Sequence, residues 1–241
     1  MLTNVPGDRL GCGTAKMKII APVVLAATLF AGGSVSAATT YTVDVWIGAP
    51  ITHSSTIADA ADMPAGPADA VFTYSSDINW FNPGPQNTSP SGNLAGTFIP
   101  SGPISAFSSP SGAYTTLADF LNASLSIAGD AYVSYFHIVG SYTSASALGG
   151  AIVHDDGASV YDYLGNAVYS SPAETSEVTG NFVLPSGTHT FAVDYVEANG
   201  SPSVLSLTVP EPATWAMLLL GFFGLGALLR SRRSNAMVLA A

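Results

Sequence analysis

No lysine or arginine lies between Lys18 and Arg230. All six basic residues, Arg9, Lys16, Lys18, Arg230, Arg232 and Arg233, fall at the two ends of the 241-residue chain. The long middle segment carries eleven Asp and three Glu between residues 38 and 209. A domain built from it has no Lys/Arg ion pairs, so its stability must come from apolar burial and backbone ladders, with a bound cation as a further candidate. Nucleic acid is excluded as a partner, because nothing neutralises phosphates. Lysine nucleophiles and arginine clamps on carboxylate or phosphate are excluded in the same way. The sole cysteine, Cys12, stands near the N-terminus, so the middle segment has no disulfide and no thiol chemistry.

The ends explain where the cations went. Lys16 and Lys18 flank Met17, an apolar run covers 19–30, and small residues follow. Val35-Ser36-Ala37 has the small-x-small form that signal peptidase reads, which predicts a signal peptide over 1–37 with cleavage after Ala37. Residues 1–16 read as an upstream extension, with Met17 as an alternative start. At the other end, Pro210-Glu211-Pro212 forms a rigid, exposed hinge. The uncharged run 213–229 is 17 residues, roughly 25 Å as a helix and at the short end of a bilayer span. Arg230, Arg232 and Arg233 supply a cytoplasmic stop, and a tail follows over 234–241. Hinge, helix and arginines in this order resemble the PEP-CTERM sorting tail of Gram-negative bacteria. The resemblance implies an inner-membrane-anchored precursor and a partner protease of the exosortase type that cuts near the hinge. The apolar octapeptide after the arginines is longer than the family pattern, and an ordinary single-span anchor is the plainer alternative.

Residues 38–209 are enough for one ordinary domain or two small ones, with a real core. Residues 41–47 alternate and are β-branched, which predicts a strand. From 48 to 112 the chain is rich in Pro, Gly, Ser and Ala, with apolar islands at 71–74, 78–81 and 97–99 read as short strands between long loops. Residues 115–122 read as a two-turn helix capped by Thr116, with Leu117, Phe120 and Leu121 on one face. Residues 131–139 are apolar on both faces, as in a central strand. Further strands are predicted at 151–154, 159–163, 167–169, 182–184, 188–198 and 204–209, with turn chemistry at Leu164-Gly165-Asn166, Pro185-Ser186-Gly187 and Asn199-Gly200. The predicted class is all-β, an antiparallel sandwich or barrel, flanked by the signal helix and the transmembrane helix.

One group stands out for chemistry, His154-Asp155-Asp156-Gly157. Its plain reading is a surface hairpin turn. Its context, 150–209, resembles the second half of the protective-antigen-type β-sandwich, a family that includes yeast flocculins and domains of bacterial glycosidases. The matching positions are Asp155-Asp156-Gly157, Tyr161, Gly165, Gly187, Tyr195, Glu197 and Gly200; the family's Tyr and Glu are usually adjacent, whereas Val196 separates them here. Adjacent side chains on a regular strand point to opposite faces. In the flocculin branch a cis peptide turns both carboxylates to one side, where they hold calcium that meets sugar hydroxyls. The resemblance therefore implies that Asp155 and Asp156 are calcium ligands, with Asn199 as a guess for a third, and that the partner is extracellular polysaccharide.

Weaker signals read as structure. His137, His154 and His189 share no metal-ligand spacing and read as packed or surface strand residues. Trp46, Trp80 and Phe81 could stack on sugar rings, but aromatic strand residues usually belong to the core. No nucleophile elbow, phosphate loop or paired catalytic glutamates are present. The sequence thus points to an exported, non-enzymatic surface or matrix protein. Its alternatives are a purely structural coat protein and a secreted polysaccharide hydrolase, which would need two carboxylates about 5–10 Å apart in a cleft.

Overall fold

A computed structural model of the chain describes residues 40–49, 57–84, 93–126, 133–209 and 221–224. The cleavage site at Ala37, the hinge Pro210-Glu211-Pro212, the arginines Arg230, Arg232 and Arg233 and most of the run 213–229 lie outside them. Residues 221–224 are helical, and no helix among the described residues is long and apolar enough to cross a membrane.

Eleven strands form two antiparallel sheets that enclose one main core. The elements run β1 (Tyr41–Ala49), β2 (Ala70–Tyr74), β3 (Asn79–Asn82), α1 (Ala95–Phe98), β4 (Ile104–Ser108), α2 (Leu117–Leu121), β5 (Val133–Ser144), β6 (Leu148–His154), β7 (Ala158–Tyr161), β8 (Ala167–Ser171), β9 (Val178–Leu184), β10 (Gly187–Glu197) and β11 (Ser203–Thr208). The larger sheet has the order β4-β2-β1-β5-β10-β7-β8, and the smaller one β3-β11-β6-β9. Period-two alternation decides which side chains enter the sandwich. Tyr41, Val43 and Val45 of β1, Phe136 and Ile138 of β5, and Phe191, Val193 and Tyr195 of β10 are buried from the larger sheet. Trp80, Ile152, Phe182, Leu205 and Leu207 meet them from the smaller one. The long strand β5 sits centrally, paired along its length with β10 and with β1 on its other edge. Its apolar character on both faces is explained by a second, smaller cluster on the outer face, where Val133 and Tyr135 pack with Ala58, Val196 and Ala198.

Two segments depart from expectation. Residues 97–99 were expected as a strand on their β-prone composition; Ala95–Phe98 is instead a single helical turn. Tertiary packing overrides propensity here, because the turn drops Phe98 into the sandwich. There the ring stacks on Tyr195 at a centroid distance of 6.0 Å and meets Trp80 edge-on at 5.7 Å. Ile104–Ser108 was not among the expected strands. It lies at the edge of the larger sheet, where proline is tolerated, and its register against β2 is broken by an irregularity. The helix α2 appears as expected, with Thr116 and Asp119 forming a reciprocal capping box.

Phe98 is fully buried among three aromatic rings, so Phe98→Ala should destabilise the domain by about 3–5 kcal/mol in urea denaturation. Truncating the exposed Leu164 to Ala should change stability by no more than about 0.5 kcal/mol in the same assay.

Candidate functional site

Where β6 ends, the chain leaves the smaller sheet and enters the larger one as β7. Asp155-Asp156-Gly157 is that crossing, not a hairpin turn. Both aspartates are buried, at 8% and 4% exposure, which removes the surface-turn reading. The bend at the crossing directs both side chains into one cavity of about 470 Å³. It does so with a trans peptide between them. The one cis bond among the described residues is Ser201-Pro202, in the β10–β11 loop that lines the same cavity.

The corner is fixed from three sides. Gly157 accepts the Val196 amide at 3.0 Å, tying the crossing to β10. The backbone amides of Val204 and Ala198 donate to Asp155 Oδ1 at 3.0 Å and to Asp156 Oδ2 at 2.8 Å. His154, fully buried, lies 2.5 Å through Nδ1 from the Asp156 carbonyl and 2.6 Å through Nε2 from the Tyr169 hydroxyl. A carbonyl can only accept, so Nδ1 carries the proton and Nε2 accepts from tyrosine. Burial holds the His154 pKa below its ordinary value, in keeping with this neutral ring. His154 is therefore a packed residue, as its spacing suggested, and its place in the site is to hold the carbonyl oxygen of the Asp156–Gly157 peptide. Tyr169 reaches it by crossing Gly180, where a Cβ would lie 2.0 Å from the ring.

A third carboxylate completes the group. Glu197 of β10 brings an oxygen to within 4.8 Å of oxygens of Asp155 and Asp156. It follows Tyr195 with the same inward parity and is fully buried. Its Oε1 accepts from Asn93 Nδ2 at 2.7 Å, Ser126 Oγ at 3.0 Å and Ser203 Oγ at 2.7 Å. Tyr195 Oη lies 2.7 Å from Glu197 Oε2 and 3.1 Å from Asp155 Oδ1. The tyrosine has one hydrogen for these two oxygens. A proton on Glu197 Oε2 resolves the conflict: glutamic acid donates to tyrosine, and tyrosine donates to Asp155.

The electrostatics agree with that proton. Burial pushes the Glu197 carboxyl up to about 8, the Asp155 charge adding to it, against the pull of Tyr195, Ser203 and Ser126. Burial likewise raises Asp155 to about 6 and holds Asp156 well above the usual carboxylate range, with Glu197 and Asp155 contributing to the latter. No Lys or Arg is available to offset this. The three bonds from Tyr195, Val204 and Ala198 engage one oxygen of each aspartate, and both aspartates line the cavity while Glu197 backs them from below. Hard, anionic oxygens at this spacing suit a divalent cation with oxygen preference, such as calcium.

The remaining sequence candidates are distributed as follows. Asn199 lines the cavity in a left-handed turn with φ of 58°, and its amide donates to Glu174. Phe81 is 52% exposed at the cavity wall, whereas Trp80 is core. Trp46 and the His137–Asp194 pair, 2.6 Å apart, lie by a separate cavity. Tyr161 accepts from the Ala60 amide and is not in the site. Gly165, Gly187 and Gly200 all have positive φ, the turn role their positions implied. Asn93, Ser126, Ser203 and Glu174 were not expected. Asn93 and Ser126 come from irregular segments, and only the fold brings them to Glu197.

Residues 208–233 match the PEP-CTERM protein-sorting motif. The motif marks an exported protein of Gram-negative bacteria, anchored in the membrane and then processed by an exosortase. Among curated proteins no significant match to the sequence is found. Among solved structures, the PA14 sugar-binding domain from an RTX adhesin is 18% identical with a TM-score of 0.48, over 72% of this chain and 90% of that one. The PA14 domain of the antifreeze protein MpAFP is 16% identical with a TM-score of 0.41, over 74% and 85%. A GH31 α-xylosidase from Xanthomonas citri is 12% identical with a TM-score of 0.30, over 74% of this chain but 18% of the enzyme.

The raised carboxyl pKa values set a sign for the pH dependence of cation-free protein. The folded state binds more protons than the unfolded one, so stability is full below about pH 4 and falls as pH rises through about 6 for Asp155 and about 8 for Glu197. His137, raised by its bond to Asp194, adds to the slope, and His154 opposes it. In chelator, urea denaturation should show lower stability at pH 8 than at pH 5. The slope should flatten in Asp155→Asn/Asp156→Asn, which keeps the acceptors and removes the charges; equal slopes would contradict the assignment.

Proposed function

We propose that the exported domain is a non-catalytic carbohydrate-binding module of the cell surface or extracellular matrix. In this reading Asp155 and Asp156 hold a calcium ion in the cavity, and the ion's remaining coordination positions face sugar hydroxyls. The supporting observation is the crossing itself: two buried aspartates turned into one cavity, each with one oxygen committed to protein donors. Asn199 is proposed as a further ligand from the adjoining loop. Glu197 is proposed as the protonated group behind them, since its oxygens are already engaged by side chains. When bound, calcium would supply a fixed positive centre for neutral oxygen ligands. The chain's own residues would orient it, and the Val204 and Ala198 amides would hold both carboxylates in place. One oxygen from each of the three carboxyls lies within 4.8 Å of the others, a spacing that one shared cation can bridge.

Calorimetric titration of chelator-treated full-length protein should show saturable calcium binding, with magnesium much weaker because it dehydrates reluctantly and demands near-ideal octahedral ligands. At calcium about a hundredfold above Kd, stability should rise by about 2.7 kcal/mol. Both effects should vanish in Asp155→Asn/Asp156→Asn. A melting temperature that ignores calcium, or a shift that persists in the variant, would overturn the proposal.

A further inference from the structure

The outer face of the larger sheet holds a second cavity, of about 250 Å³, in which the calcium reading has no part. Strand pairing builds it. Asp44 of β1, His137 of β5 and Asp194 of β10 stand in one row across the sheet, and Trp46, Tyr135 and Val196 stand in the next row on the same face. Residues 57–68, between β1 and β2, form a strap over this face. Three hydrogen bonds tie it down. The Ala58 amide donates to the Pro172 carbonyl at 2.8 Å, the Ala60 amide to Tyr161 Oη at 3.1 Å, and Trp46 Nε1 to the Gly66 carbonyl at 2.9 Å. Ala58 and Met63 of the strap pack on the outer cluster around Tyr135 and Val196. A hollow lined by Trp46, Ala60, Met63, His137 and Asp194 is left open.

Its polar groups are few and placed by strands. Asp194 is 1% exposed, yet it lines the hollow. Its Oδ1 lies 2.6 Å from His137 Nδ1, and its other oxygen has no hydrogen-bond partner among the described residues. Ser159, opposite it on β7, directs its hydroxyl to Ser170. A carboxylate oxygen this deep calls for a donor from water or a ligand. A carboxylate only accepts, so His137 Nδ1 carries a proton. The bond to Asp194 holds the His137 pKa above its ordinary value, against the opposing pull of burial, with the Asp194 and Asp44 charges adding to it. That favours the imidazolium, whose Nε2–H is left to donate. The charged ring repels an ammonium ligand, and the two aspartates repel a carboxylate. Trp46 has its one polar atom committed to Gly66, so it and Met63 offer only apolar surface to the hollow.

We infer that this hollow binds one ring of a neutral sugar without a metal ion, with Asp194 accepting from one hydroxyl, His137 donating to its neighbour, and Trp46 and Met63 against the ring's C–H face. A hydroxyl both donates and accepts, so a vicinal pair satisfies both protein groups at once. An aromatic wall beside a few fixed polar groups is the ordinary make-up of a small-molecule site. The volume admits a single small ring and not an extended chain, so the site would take a chain end or a branch. This site shares no residue with the Asp155–Asp156 cavity and does not rest on the calcium reading.

The test is a titration of full-length protein in detergent and EDTA with the methyl glycosides of the gluco, galacto and manno series, followed by saturation-transfer NMR of the ligand. At least one series should bind saturably, with Kd of about 1 mM, since one small ring makes few contacts. Asp194→Asn, which keeps an acceptor for His137 and removes the carboxylate, should weaken binding by about tenfold or more. Ala60→Phe, at an exposed strap position, should block the hollow and abolish binding without disturbing the sheet, and it serves if the first variant does not fold. Asp155→Asn/Asp156→Asn should bind as the unaltered protein does. No glycoside bound in EDTA, binding that survives both Asp194→Asn and Ala60→Phe, binding lost in the Asp155/Asp156 variant, or a preference for tetramethylammonium over every glycoside would each overturn the inference. Sugar bound only when calcium is present would overturn it while the calcium reading stands.

Discussion

Three carboxyl groups, Asp155, Asp156 and Glu197, are buried within 4.8 Å of one another in a domain that has no lysine or arginine to neutralise them. Buried charge without a partner is among the costliest arrangements a protein can hold. Here the cost is met by donors and by protons. The backbone amides of Ala198 and Val204, the Tyr195 hydroxyl and the side chains of Asn93, Ser126 and Ser203 all aim at the three carboxyls. What donors leave unmet appears as raised proton affinity. Under the proposed function, a cation in the cavity would take over that task.

One of the several crossings between the two sheets positions these groups. The crossing from β6 to β7 carries the aspartates, and β10 from the larger sheet carries Tyr195 and Glu197 to the same end. The α1 turn closes that end. Phe98 stacks on Tyr195, and the Leu125 amide bonded to the Asn93 carbonyl sets Asn93 beside Glu197. The polar network thus has aromatic packing on one side and the cavity on the other. Each donor is held by a strand end or a tied loop and not by a free side chain.

Much of the fold was legible in the sequence. Alternation in 41–47 and 188–198, the turn glycines at 165, 187 and 200, and the capping box at Thr116 all correspond to local rules that the structure obeys. Residues 97–99 misled because β-prone side chains were recruited to plug the sandwich. Ile104–Ser108 was not marked as an apolar island, because only Ile104 and Phe107 among its residues are large and apolar. In the site, Asp155 and Asp156 were legible as a pair, and the crossing between sheets was not, since pairing partners are long-range. Glu197 was within reach: Phe191, Val193 and Tyr195 already marked its parity as inward. Asn93, Ser126 and Glu174 had no local signal, because their roles follow from tertiary contact alone. The terminal signals are of a different kind, carried by order and composition, and the sorting motif at 208–233 could be read directly.

The most direct measurement is anomalous diffraction from a crystal of the protein grown with calcium, and with a heavier analogue such as strontium or a lanthanide in its place. The account predicts a single strong peak in the cavity, bonded to oxygens of both Asp155 and Asp156, with Glu197 still engaged by Tyr195 and Ser203. A cavity free of anomalous signal at saturating ion, with the two aspartates hydrogen-bonded to water alone, would contradict it.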